Sequence, residues 1–201
     1  MGVLDLWGVT YKVLDAIVTA VPSLRGMLLG YVTEHKLRQI WFPDNDNRFR
    51  VLTRPDDHDR KSKGDLLIAY KGIDIRVESK SLQSNSVKTT GSGWKGTFQC
   101  DASDKRPVTL PNGETINTTC LQVGEFDLLA VGLFQFGDEW RFAFVKNYDL
   151  PRTKSARYTP EQQKYLLRSS VKITWPLSEP FELEPFRLLD EIVRQRSSGK
   201  R

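Results

Sequence analysis

The chain has 201 residues, 39% hydrophobic and 27% charged, with 30 Lys and Arg against 25 Asp and Glu for a net charge of +5. That size and balance suit one soluble globular domain and exclude a disordered or disulfide-scaffolded class. The longest apolar stretch, residues 126–134, is broken by Asp127 and is half the ~18–20 residues a membrane span needs.

Residues 5–40 carry a helical pattern. Val13, Leu14, Ile17, Val18 and Val21 recur at i, i+3/i+4 spacing, and Ser23 after Pro22 is expected to cap a second helix bearing Leu24, Met27, Leu28, Tyr31 and Glu34. Residues 43–47, Pro-Asp-Asn-Asp-Asn, stop it. Phe49, Val51 and Thr53 alternate with arginines as in a half-buried strand. Two apolar segments, Leu66–Tyr70 and Ile73–Val77, flank Lys71-Gly72 and read as a tight hairpin. Residues 83–96, rich in Ser, Thr and Gly, read as a loop, and Thr97–Cys100 as a short strand.

Residues 110–114 form a turn, and the apolar run 126–136 is expected to be a strand covered on both faces. Trp140–Val145 reads as its neighbour. Thr159-Pro160-Glu161-Gln162 combines an N-cap, a proline at the first helical position and a capping-box glutamine, for a helix to about Arg168. A strand at Val171–Trp175 and a helix at Pro185–Arg196 close the chain. The expected fold is one α/β domain over 1–201: N-terminal helices in 1–42, a mixed, partly antiparallel sheet core in 48–150, and C-terminal helices with a short strand in 151–201.

Several motifs imply little chemistry. Gly91-Ser92-Gly93-Trp94-Lys95-Gly96 spells G-x-G-x-x-G, but without the strand before it and the helix after it that a dinucleotide site requires. The two Cys, Cys100 and Cys120, and the two His, His35 and His58, lack zinc-ligand spacing and read as reduced thiols and isolated imidazoles. Asp127 at the start of an apolar strand reads as a turn cap. Basic residues cluster between Arg48 and Lys63 and again from Arg194 to Arg201, compatible with nucleic acid.

The hairpin differs. Side chains alternate along a strand, so Asp74, Arg76, Glu78 and Lys80 share one face and Ile73, Ile75 and Val77 the other. With Lys71-Gly72 as the whole turn, residue 65 pairs with 78. Asp65 and Glu78 then stand side by side with Lys80 adjacent, since directly opposed Cβ atoms are roughly 4.5–5.5 Å apart. Two carboxylates that close need a shared proton or cation, and they offer Mg²⁺ an oxygen-rich site where a water and a phosphate could be polarised.

Asp65, a spacer, then Glu78-Ser79-Lys80 resembles the PD-(D/E)-x-K nuclease superfamily, which includes many restriction endonucleases. The resemblance spans roughly residues 34–100, about a third of the chain. It implies a restriction endonuclease-like mixed sheet flanked by helices, Mg²⁺ (with Mn²⁺ as substitute) held by Asp65 and Glu78, and Lys80 orienting the attacking water. It also implies an added helix acid, here Glu34, and a polar residue from the next strand, here Gln99. The family's Pro is replaced by Gly64, and a literal Pro55-Asp56 lies upstream in loop-like sequence. Substrate contacts are expected from Lys88, Trp94, Lys95, Lys105 and Arg106, with Arg48, Arg50 and Arg54 beside the groove.

The expected function is a metal-dependent DNA endonuclease of restriction type, in the cytoplasm, away from membranes and acting as a homodimer, with RNA as the other possible substrate. The rivals are a structure-selective repair or junction nuclease with the same site, a non-catalytic nucleic-acid-binding subunit, and an unrelated binding module.

Overall fold

A computed structural model describes residues 1–53 and 64–199. Pro55-Asp56, His58 and the cations from Arg54 to Lys63 lie outside the described residues, as do Lys200 and Arg201. The helices are α1 Val3–Leu6, α2 Tyr11–Ala20, α3 Pro22–Trp41, α4 Pro160–Gln163 and α5 Phe186–Ser197. The strands are β1 Phe49–Thr53, β2 Leu66–Tyr70, β3 Ile73–Ser81, β4 Lys88–Thr90, β5 Gly93–Gln99, β6 Asp101–Thr109, β7 Thr115–Cys120, β8 Leu128–Gly132, β9 Phe142–Lys146 and β10 Ser170–Trp175. Among the described residues no single helix is long and apolar enough to cross a membrane.

Helix α2 is capped by Thr10, whose hydroxyl accepts the Val13 N–H at 3.3 Å. Helix α3 opens on Pro22, so the expected Ser23 cap falls inside its first turn. The reason is that a proline's missing N–H and fixed φ suit the first helical position.

The expected mixed α/β architecture, a mixed sheet flanked by helices, is what the chain forms. The central sheet has the order β1-β2-β3-β8-β9, antiparallel throughout except for the parallel β3–β8 pair. One of its faces buries Leu66, Ile68, Tyr70, Ile75, Val77, Leu128, Ala130 and Phe144 against Leu37 of α3 and Leu188, Leu189 and Ile192 of α5. Each such aliphatic side chain withdrawn from water contributes about 1.5–3 kcal/mol. The other face carries Leu129, Val131, Ala143 and Val145, which pack on Phe98, Cys100, Val171 and Ile173. Those four come from or adjoin a second, three-stranded sheet of order β10-β5-β4, antiparallel throughout. Strands β6 and β7 form a separate ribbon around the turn at 110–114.

Three expectations fail on length or type. The stretch 83–96 is a short 3₁₀ turn, Ser84–Ser86, followed by the β4–β5 hairpin, whose tip is Gly91-Ser92. The apolar run 126–136 supplies only the five residues of β8, because Phe134–Gly137 turn back toward β9. The helix from Thr159 has its complete capping box, with the Thr159 hydroxyl on the Gln162 N–H at 3.2 Å, but ends at Gln163. Beyond it Leu166 and Leu167 are extended, paired with Gln122 and Arg152, and buried. Tertiary pairing there outweighs helical propensity.

Candidate active site

The β2–β3 hairpin has the register read from the sequence: Tyr70 opposes Ile73, Ala69 opposes Asp74 and Leu66 opposes Val77. Lys71 and Gly72 both adopt positive φ, 50° and 79°, as a two-residue turn with matching twist demands. One step beyond the paired residues, the Asp65 N–H donates to the Val77 carbonyl at 2.9 Å. That bond brings Asp65 beside Glu78.

Asp65 is fixed further by its own side chain. Its Oδ2 accepts the Ser79 N–H at 2.6 Å. Lys80 Nζ lies 2.7 Å from Glu78 Oε1, with the two side chains only 23% and 12% exposed. The electrostatics follow from this crowding. Burial, then the Glu78 carboxylate, and more weakly Glu34, push the Asp65 carboxyl up to about 7, against the opposing pull of Lys80 and the Ser79 N–H. For Lys80 burial disfavours the ammonium, but Glu78 and Asp65 together outweigh it and hold its pKa above the ordinary lysine value. Lys80 is therefore a fixed cation at neutral pH.

Helix α3 brings Glu34 into the field of Asp65, and pairs it with Arg38 at 3.9 Å on the same helix. One reason for the helix's position is the contact of Thr33 with Gly132 of β8, where a Cβ would meet the Thr33 methyl at 2.5 Å.

Other expected site residues are placed elsewhere. Gln99 is exposed, on the face of β5 opposite buried Phe98. The groups that instead approach Lys80 are Cys100 and Asp101. Burial pushes the Cys100 thiol up to about 12. Burial also raises the Asp101 carboxyl, with Lys80 and a hydrogen bond from the Thr119 side chain opposing. Alternation along β5 does not forecast this, because the strand ends at Gln99 and Asp101 opens β6 in a different sheet. The only sequence signal was an acid directly after the apolar Phe98–Cys100 segment.

Trp94, partly buried, stacks on Phe136 of the core, with ring centroids 6.3 Å apart. Arg106 is paired with the buried Glu125, and Arg48 with Asp46 while lying over the Phe186 ring. None of the three presents a free group. Lys88, Lys95, Lys105 and Arg50 are exposed. Asp127 accepts the Arg76 N–H at 2.8 Å and pairs with Arg196, so it ties strand ends together as the turn-cap reading expects.

Among the described residues no three His, Cys, Asp or Glu side chains converge as a metal cage. Mg²⁺ does not require one: it typically takes one or two carboxylates and keeps waters or phosphate oxygens as its other ligands. Asp65 and Glu78 fit that donor set, and burial first, then the neighbouring Glu78 carboxylate, disfavour the ionised Asp65 carboxyl in the absence of a cation.

No protein-family model matches the chain, and no curated protein does. Among solved structures the chain is similar to a bacterial homing endonuclease, at 17% identity over 70% of this chain and 87% of the other, with a TM-score of 0.37. At that level of similarity any statement about chemistry rests on the residues themselves.

Proposed function

We propose that this protein is a metal-dependent endonuclease that hydrolyses phosphodiester bonds of DNA, with a site of the PD-(D/E)-x-K kind. The observation that carries the reading is the backbone bond from Asp65 to Val77 that sets Asp65 in the field of Glu78, with Lys80 held on Glu78 at 2.7 Å. Asp65 and Glu78 would hold Mg²⁺, or Mn²⁺ in its place, and the ion when bound supplies Lewis-acid polarisation of a phosphate and its attacking water.

The protein's own groups do the rest. Lys80 stays protonated, so it does not take a proton from water; it orients the water and offsets the negative charge that grows on the phosphate. The Ser79 N–H fixes the Asp65 carboxylate in one rotamer, which preserves the spacing of the set. Glu34, although paired with Arg38, adds a weaker push on the Asp65 carboxyl in the same direction as Glu78. Asp101, near Lys80, lies where it would tune that ammonium.

The test is cleavage of plasmid and oligonucleotide DNA with Mg²⁺, Mn²⁺ or EDTA, comparing wild type with Glu78→Ala and Lys80→Ala. Metal-dependent cutting that falls at least about 100-fold in both variants is expected, the scale of losing one preorganised stabilising group. Cutting that survives both substitutions removes this site from the reaction. DNA binding without cutting on a broad panel would favour a non-catalytic binding subunit.

A further inference from the structure

The outer face of the second sheet is charged in one sense only. Strands β4, β5 and β10 contain Lys88, Lys95 and Lys172 and no acidic residue. Alternation sends Phe98, Val171 and Ile173 into the core and leaves Lys95, Gln99, Lys172 and Thr174 exposed on the opposite face. Register then fixes their neighbours: Lys88 opposes Lys95, Lys95 opposes Thr174, and Gln99 opposes Ser170.

Two lysines directly opposed on one face repel, a destabilising arrangement unless an anion lies over them. Neither they nor Lys172 form an ion pair among the described residues.

Further cations lie just before β10 in the chain. Arg168, two residues before β10, is exposed and lines a shallow cavity of about 430 Å³ together with Arg152, Lys154 and Lys164. Lys164 is engaged by Glu161, and Arg152 donates to the carbonyls of Leu150 and Tyr148. Arg168 and Lys154 make no ion pair among the described residues.

From the Lys88–Lys95–Thr174 row the exposed side of β10 runs back to Ser170, about 13 Å at ~3.3 Å per residue, and Arg168 follows across a bend at Ser169. A small anion would occupy one end of such a strip. A phosphodiester backbone, with a charge every ~3.4 Å of helix axis on each strand, matches its whole length.

We propose that the outer face of the β4-β5-β10 sheet, continued by Arg168 and Lys154, is the track that holds the phosphate backbone of duplex DNA. This rests on the nuclease reading above, and it gives Gln99 a place on the substrate surface and not at the metal. The sheet that carries the track is joined to the end of the hairpin strand: Leu82, two residues after Lys80, pairs with Phe98 of β5, with the track on the face of β5 opposite Phe98. Lysines, threonines and backbone contacts of this kind position DNA without reading its sequence, so the track supplies affinity and orientation.

The experiment measures binding of a labelled DNA duplex in EDTA across a salt series, with the Lys95→Ala/Arg168→Ala/Lys172→Ala variant against wild type. A second triple variant, Lys12→Ala/Arg25→Ala/Lys36→Ala on the N-terminal helices, removes the same charge elsewhere. The track variant is expected to bind at least about tenfold more weakly, and its slope of log affinity against log salt to fall by roughly 2–3 units. The N-terminal variant is expected to bind as wild type, and Lys95→Arg/Lys172→Arg to retain the wild-type slope.

Equal weakening in both triple variants would make the effect one of net charge and overturn the track. Wild-type binding by the track variant, from a protein that still cuts DNA, would overturn the track and leave the nuclease reading standing. A wild type that neither binds nor cuts DNA would overturn both.

Discussion

The Ser79 N–H donates to the Asp65 carboxylate at 2.6 Å, joining the residue just before β2 to the residue between the acid and the lysine of β3. This bond holds an ionisable group in a place where burial and Glu78 lift its pKa to about 7. A carboxyl raised from its unfolded value of roughly 3.9 binds an extra proton in the folded state over that interval. Metal-free stability is therefore expected to fall as pH rises from about 4 through 7. Asp65→Asn should be the more stable protein at pH 8 by about 1–3 kcal/mol, and close to wild type at pH 4. Mg²⁺, binding the ionised form, should raise the melting temperature of wild type at pH 8 but not at pH 5, and should not stabilise Asp65→Asn. Paired thermal scans with and without Mg²⁺ at the two pH values check this.

Cys100 lies under Lys80, fully buried, with its thiol pushed up to about 12. Thiolate is the reactive form, so iodoacetamide at pH 8 should leave Cys100 unmodified in the folded protein and label it in denaturant. Peptide mass mapping reads the result. Rapid labelling of Cys100 in the native state would contradict the packing around Lys80.

Gly64 stands where the motif that the hairpin sequence resembles has proline. Its φ is +82°, and a Cβ would sit 3.1 Å from the Val77 carbonyl oxygen. Proline is locked near −65°, so Gly64→Pro should shift Asp65 off the hairpin. Both stability, by about 1–3 kcal/mol, and cleavage are expected to suffer. A variant with wild-type melting and wild-type cutting would show that Asp65 does not depend on this turn.

Gly93 begins β5 against the chain at Trp175, where an added Cβ would fall 1.8 Å from the Trp175 carbonyl oxygen. The obstacle is backbone, so it yields only by parting β5 from β10. Gly93→Ala is expected to destabilise by about 1–3 kcal/mol or more, measured by denaturant unfolding. In the track proposed for DNA it should also weaken binding, because β10 carries Lys172.

Much of this site was legible in the chain. The Lys71-Gly72 turn set the hairpin register, and period-two alternation then placed Asp65, Glu78 and Lys80 together; both are local effects that short sequence windows record. The capping box at Thr159 was legible for the same reason. The end of that helix was not, since it is decided by Leu166 and Leu167 pairing with distant chain. Gln99 was expected from the resemblance alone, and the structure leaves it exposed on the face of β5 opposite Phe98. Trp94 and Arg106 resembled free ligands for substrate until Phe136 and Glu125, far along the chain, were found to occupy them.

Turn chemistry, periodicity and composition act over a few residues, so the N-terminal helices, the β2–β3 hairpin and the modest excess of +5 could be read from the chain. Tertiary structure alone decided which of those positive charges are free. Arg106 and Arg196 are neutralised by carboxylates brought to them by folding, whereas Lys88, Lys95 and Lys172 are left exposed on one sheet. Coulombic pairing falls off with distance in space and is indifferent to distance along the chain, so a charge count becomes a map of function only when the fold supplies the neighbours.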